Sequence, residues 1–413
     1  MRRLLLALPV ILAALWLMVL PFPASAQGFT ALARVMPQDS RLIADGRGGV
    51  QLDLHLSQGV PYRIFTLDAP RRLVLDFQEV DWTGLDPQAF LAPPQMRNIR
   101  FGGYLPGWSR MVLELAEPME VATASMSIDT VSAAAALTVQ LQPTDAESFA
   151  AAAGAPHDPR LDLPPPAVLQ DRPARDPDAP LVVMLDPGHG GLDPGAEAEG
   201  GVMEKELMLN FAYDLGERLV RSGAFEVLLT REGDYFVSLE RRIAMAHQQG
   251  ADLFLSLHAD SVSEGMAHGT VVYTLSKEAS DLASVKLAER HDRADLLSGS
   301  DLSTVDDEVT DVLLDLARQE THPRSTALAQ SVIEALMEQG GPVNRRPLRA
   351  AGFSVLKSAD IPSILIELGF MSSPRDLENL TNPAWRAKAA QAILEGLMAW
   401  REDDTARRAL VRQ

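Results

Sequence analysis

Fifty-six acidic side chains against 37 basic ones give this 413-residue chain a formal charge of −19, which makes nucleic acid and anionic lipid poor partners. It contains no cysteine, so neither a disulfide nor a thiolate metal ligand is available. The length allows two or three domains.

Residues 1–26 read as a signal peptide rather than as fold. Arg2 and Arg3 supply a positive start, residues 4–20 form an apolar run broken only by Pro9, and Ala24-Ser25-Ala26 is a small-residue cleavage site. The run is long enough to span a bilayer, but the cleavage site argues for its removal and for no stable membrane anchor afterwards. Nothing around the paired arginines completes a twin-arginine motif, so Sec-type export is the expectation. The mature chain is expected in the periplasm.

Residues 28–142 read as a small all-β domain. Residues 50–57 alternate strictly, residues 72–77 alternate with Leu73, Leu75 and Phe77 on one face, and residues 110–115 do so with Met111, Leu113 and Leu115. Period two over such lengths marks half-buried strands. His55 falls on a polar side and no catalytic cluster appears, so a binding or targeting role fits better than an enzymatic one. Residues 143–180 carry nine prolines, including Pro164-Pro165-Pro166, and read as an extended linker.

Residues 181–402 alternate strands with helices. Runs at 181–185, 226–230, 253–257, 270–274, 353–356 and 363–366 are expected to be strands. Helical patterns run through Leu207, Phe211, Leu215 and Leu219, and through Leu239, Ile243 and Ala246 behind a Ser238 cap. A last helix opens at Asn382-Pro383 and carries Ile393, Leu397 and Trp400. The expected fold is an α/β catalytic domain, a mixed and largely parallel sheet flanked by helices, behind the small all-β domain. An insertion at about 276–322 separates the strand at 270–274 from a helix expected to begin near Pro323. Its residues 277–322 hold twelve acids and five Lys or Arg. Leu282, Val285 and Glu289 share one helical face there, and Val309, Val312, Leu313 and Leu316 form an apolar stripe.

Four strings fall at or near predicted strand ends, where ligands gather in open α/β sheets. They are Asp186-Pro187-Gly188-His189-Gly190-Gly191, Met203-Glu204-Lys205, Ser256-Leu257-His258-Ala259-Asp260 and Ile366-Glu367-Leu368-Gly369-Phe370. Singly, each has an ordinary explanation: a solvated histidine, a tight glycine turn, an acid favoured by a helix N-terminus. Glu367 is harder to dismiss, because the apolar run before it should be buried and a buried carboxylate needs a reason. Together, two imidazoles and a carboxylate are the donor set of a catalytic zinc with one position open. The second carboxylate can move protons beside it. His247, His268, His291 and His322 sit in polar or helical contexts and fall outside this set.

These strings, with Thr230-Arg231-Glu232-Gly233-Asp234 and residues 357–363, resemble the zinc-dependent N-acetylmuramoyl-L-alanine amidases of the cell-division type (amidase 3) over all of 181–402. The resemblance implies that His189, Glu204 and His258 ligate one Zn2+ and that Glu367 is the catalytic acid/base. It implies hydrolysis of the amide between N-acetylmuramic acid and L-alanine of peptidoglycan, in septal cell-wall splitting. The alternatives are a non-catalytic peptidoglycan-binding protein and a different extracytoplasmic zinc peptidase. The β domain resembles, more loosely, the AMIN domain that precedes such enzymes and binds peptidoglycan. The resemblance also implies an autoinhibitory helix over the zinc, displaced by a LytM-type activator protein. Glu289 is then the expected zinc contact, and Val309, Val312, Leu313 and Leu316 the activator's docking face.

Overall fold

In a computed structural model of the chain, residues 32–158, 179–261, 267–299 and 308–411 are described. The expected signal peptide, most of the proline-rich linker and the side chains of Val309, Val312, Leu313 and Leu316 lie outside the described residues.

The all-β region is a sandwich of two four-stranded sheets. Its main strands are β1 (Arg41–Ala44), β2 (Val50–Leu56), β3 (Tyr62–Leu67), β4 (Arg72–Gln78), β5 (Met96–Leu105), β6 (Trp108–Leu115), β7 (Met119–Ile128) and β8 (Ala135–Pro143). One sheet runs β1-β2-β8-β7 and the other β3-β4-β6-β5, with every adjacent pair antiparallel. Leu52 and Leu54 of β2, Leu73 and Phe77 of β4 and Val139 of β8 meet in the core between them. Alternation in β4 and β6 supplies that inner face, as the sequence pattern requires. The opposite face of the same strands is buried too: Val74, Asp76, Arg110 and Val112 are all covered. A sheet buried on both sides has a second partner.

The linker expected from residue 143 starts later than its composition indicates. Asp145 caps a short helix, α1 (Ala146–Ala152), by accepting from the Ser148 backbone N–H, and Phe149 of that helix enters the sandwich core. Alanine-rich sequence with a cap and one large apolar side chain is enough to dock a turn or two of helix.

The α/β region is built on β9 (Leu181–Pro187), α2 (Glu204–Arg221), β10 (Phe225–Leu229), α3 (Leu239–Gln248), β11 (Leu253–His258), β12 (Thr270–Leu275), α4 (Leu282–Leu297), α5 (Glu308–Glu338), β13 (Val343–Ala351), β14 (Ser363–Glu367), α6 (Pro374–Thr381) and α7 (Pro383–Val411). The sheet order is β10-β9-β11-β14-β12-β13. From β10 to β14 all neighbours are parallel; β12 runs antiparallel to β14 and parallel to β13. One face packs under α2, α5 and α7 through residues such as Phe211, Val332 and Leu397. The other packs under α3 and α4 through Phe254, Tyr273, Leu287 and Phe353.

Two expectations change here. The strand expected at 353–356 is a 3-10 turn, Ser354–Leu356, and the edge strand is β13. That strand contains Arg345, Arg346 and Pro347, a polar composition suited to an edge and carrying no apolar period. The helix expected near Pro323 begins at Glu308 and runs through that proline. Among the described residues, no helix is long and apolar enough to cross a membrane.

Candidate metal centre

β9, β11 and β14 are adjacent and parallel, so their carboxyl ends deliver His189, His258 and Glu367 to one edge of the sheet. His258 and Glu367 are partners in register. Glu204 is the first residue of α2 and fully buried. Its Oε2 lies 3.2 Å from His189 Nε2, and its Oε1 lies 3.2 Å from His258 Nδ1. The same oxygens accept the backbone N–H groups of Ala196 and Ala259, which fix the carboxylate's direction. The structure thus gathers the four residues that the sequence strings single out.

The His189 loop is held by its backbone. His189 has φ +60°, a conformation that non-glycine residues adopt only when their surroundings impose it. Arg231 donates to the carbonyls of Pro187 and Gly188, and Arg242 to the carbonyls of Pro187 and His189. Beneath them Asp186, fully buried, accepts from Thr230 Oγ1, Ser256 Oγ and Arg242 Nη1, each at 2.6 Å. Gly188 and Gly195 have no room for a side chain. A Cβ on Gly188 would lie 2.3 Å from the His258 ring, and one on Gly195 2.6 Å from the His189 ring. Asp193 completes the arrangement: its Oδ2 is 2.7 Å from His189 Nδ1.

Burial and neighbouring charges shift the titration of His189, Glu204, His258 and Glu367. Burial alone would raise the Glu204 carboxyl, but His189 and His258 hold it well below the usual carboxylate range. Burial opposes charge on His189 too, yet Asp193 and Glu204 raise its pKa well above the ordinary imidazole value. Burial and then the neighbouring His291 depress His258 to about 4. Glu367 goes the other way: burial first, then the charges of Glu204 and Asp260, push its carboxyl well above the usual range. Its Oε2 accepts from the Asp260 backbone N–H, while its Oε1 is buried with no hydrogen-bond partner.

The insertion contributes a residue that the sequence reading set aside. His291 of α4 joins His189 and His258 in a buried group whose donor atoms all lie within 4.8 Å of one another. Its ring centroid is 4.3 Å from that of His258 and 5.7 Å from that of His189. Glu289 is exposed and outside the cluster, and Leu282 is also exposed. The buried face of α4 carries Ser284, Leu287, Ala288, His291 and Asp295 rather than the face of Leu282, Val285 and Glu289. That spacing is helical, but its polar members hide the period from a hydrophobicity count. Ser284, for example, binds Asp281 at the helix start, and Asp295 accepts from the Leu239 backbone N–H.

Residues 183–399 match the family described as N-acetylmuramoyl-L-alanine amidase, and residues 41–141 match the AMIN domain. The chain is 30% identical over 412 residues to N-acetylmuramoyl-L-alanine amidase AmiC of Escherichia coli O6:H1, with 94% of each chain covered. It is 31% identical over 389 residues to AmiC of Neisseria meningitidis serogroup B, covering 91% of this chain and 90% of that one. To AmiA of Escherichia coli strain K12 it is 37% identical over 223 residues, which are 53% of this chain and 75% of that one.

Proposed function

The chain belongs to the N-acetylmuramoyl-L-alanine amidase family, and on that premise we propose that His189, Glu204 and His258 hold a zinc ion while Glu367 moves the protons of the reaction. The protein is an extracytoplasmic amide hydrolase that cleaves the bond between N-acetylmuramic acid and L-alanine in peptidoglycan.

The observation that carries the metal assignment is a set of orphaned atoms. His189 Nε2, His291 Nε2 and Glu367 Oε1 are buried and make no hydrogen bond, although Glu204 Oε2 lies 3.2 Å from the first and Asp260 Oδ2 3.6 Å from the second, and the two imidazoles belong to the cluster within 4.8 Å. A buried polar atom without a partner is costly unless something else satisfies it. Imidazole and carboxylate donors, with no thiolate in the chain, match a catalytic rather than a structural zinc. Zinc, when bound, lowers the pKa of water to about 7 and polarises a scissile carbonyl.

The chain's own residues do the rest. With a metal bound, His189 would donate its Nδ1–H to Asp193, leaving the Nε2 lone pair for the ion. Glu204 brings the negative charge that offsets a dication. Burial beside other acids raises the proton affinity of Glu367, so its unpaired Oε1 can take a proton from the attacking water as the C–O bond forms and pass it to the L-alanine nitrogen as the C–N bond breaks. The insertion works against this chemistry. α4 sets His291 against His189 and His258, inside the cluster of donor atoms. We read the chain as autoinhibited in the periplasm until a LytM-type partner lifts the helix during septal cell-wall splitting, with the AMIN domain binding peptidoglycan.

Metal content and fragment analysis test the assignment together. Wild-type protein should release intact stem peptides from muramic acid. Glu367→Ala should retain zinc and lose turnover, and His189→Ala should lose both. Equal zinc loss in the two variants would make Glu367 a ligand and overturn its role as proton carrier.

A further inference from the structure

The second sandwich sheet, buried on both faces, has the catalytic domain as its outer partner. Gly102 and Gly103 of β5 lie directly on the loop that carries His189. Gly103 O accepts from the backbone N–H groups of Leu192 and Phe236. A Cβ on Gly191 would fall 1.7 Å from Gly103 O, and one on Gly102 would fall 2.7 Å from Leu192 N. Glycine on both sides of the contact is what lets the two backbones approach so closely. Around them Phe65, Val74 and Val112 of the β domain pack with Leu192 and Phe236 of the catalytic domain. The Tyr104 ring stacks on Phe236 at 6.1 Å.

Two arginines extend this interface toward the metal centre. Arg100 of β5 lies 3.5 Å from Asp193, the carboxylate that holds His189. Arg110 of β6 is 1% exposed, and its donors divide between the two domains. Nε and Nη2 bind Asp76 of its own domain at 2.5 and 3.0 Å, while Nη1 donates to Gly299 O at 2.7 Å and Ser298 O at 3.5 Å. Those carbonyls stand just past the last residue of α4, where Gly299 has φ +83° and the chain leaves the helix. Helix C-terminal carbonyls lack intrahelical partners and carry the negative end of the dipole. A buried guanidinium is therefore well suited to close α4 there.

We propose that the β domain is an intramolecular clamp on the insertion: through Arg110 it grips the carboxyl end of α4 and so keeps His291 inside the metal centre. The clamp rests on the reading of α4 as autoinhibitory only for its effect on activity; the grip itself does not. His291 lies eight residues before Gly299, about 12 Å along a helix. A fixed end therefore fixes the histidine. Displacing α4 means breaking a charge-assisted bond to the β domain as well as the helix's contacts with the catalytic domain. The domain expected to place the enzyme on the cell wall thus also sets how firmly its centre is closed.

Hydrogen exchange on the full chain tests the grip, with release of dye-labelled peptidoglycan measured beside it. The double variant Arg110→Met/Asp76→Asn removes the guanidinium without leaving a buried carboxylate in its place. Gly299→Asn reaches the contact from the helix side, since asparagine tolerates the left-handed backbone while its side chain occupies the guanidinium's space. In both variants, amides of 282–297 should exchange about tenfold faster or more. Amides of β2, β8, β11 and β14 should keep their protection, and basal release should rise. Unchanged exchange of α4 in Gly299→Asn overturns the clamp, whatever the double variant does. Faster exchange of α4 with no gain in release, together with no gain in His291→Ala, keeps the clamp and overturns autoinhibition instead.

Discussion

Three histidines with nearly equal burial share the candidate metal centre, but the backbones beneath them differ. His189 and His258 rise from the ends of adjacent parallel strands, and His291 comes from a helix inserted between β12 and α5. The His189 loop is tied down by two buried arginines, a strained φ and glycines that admit no Cβ. α4 packs on the sheet through Leu287 and Ala288, and its polar attachments are at its rim: Arg290 to Ser261 O, Ser354 to Asp292, the Leu239 N–H to Asp295, and Arg110 at its end. On the proposed assignment, burial does not separate the two fixed donors from the removable one. The anchoring of the backbone does, because local opening costs least where few backbone groups are committed elsewhere.

The largest test of this contrast is the same substitution at the two kinds of position. His189→Ala should abolish metal binding and bring activity to background, measured as zinc per chain and as release of stem peptides. Retention of one zinc per chain would mean that His258, Glu204 and His291 suffice, and the contrast between fixed and removable donors would collapse. Next in size is Glu367→Ala, which should lower turnover by about 10²–10⁴-fold, the usual contribution of a positioned general acid or base, with zinc content unchanged.

A smaller effect separates the ligands from their supports. Asp193→Ala should weaken metal affinity about 10–100-fold, as loss of a carboxylate behind a ligating histidine does, without changing the fold. Competition with a chelator measures it. An unaltered affinity would show that the arginine-braced backbone orients His189 without help from Asp193.

The fixed half of the centre was legible in sequence because each member stands at the end of a strand with a distinct period, or at the start of a helix. The apolar run before Glu367 announced a buried carboxylate, and the glycines beside His189 announced a tight turn. What those glycines touch was not legible: Gly191 faces Gly103, nearly ninety residues earlier in the chain, and no local pattern encodes that meeting. His291 was hidden for a related reason. Its helix buries serine, histidine and aspartate along with leucine and alanine, so the face with the stronger apolar signal, through Leu282, is the exposed one. Arg110 was hidden by alternation itself. It occupies the outward position of a strand, where a charged residue ordinarily faces water, and a docked domain is needed to make it buried.

The smallest expected effect discriminates most, because its sign is opposite to that of His189→Ala. His291→Ala removes a donor from the same cluster, so a centre of three equivalent histidines would lose metal and activity. A removable histidine gives the reverse. Zinc should stay near one per chain, since His189, Glu204 and His258 keep their places. Basal peptidoglycan release should rise about fivefold to tenfold, at the low end of common coupling energies. The rise is modest because the rest of α4 still lies over the site: Leu287 and Ala288 remain packed against the sheet, and Arg110 still holds the helix end. Combining His291→Ala with Gly299→Asn should therefore raise release further than either change alone, as freeing the helix adds to freeing the metal. If the single variant instead loses zinc in step with its activity, His291 belongs with the permanent donors, and the insertion is part of the centre rather than its cover.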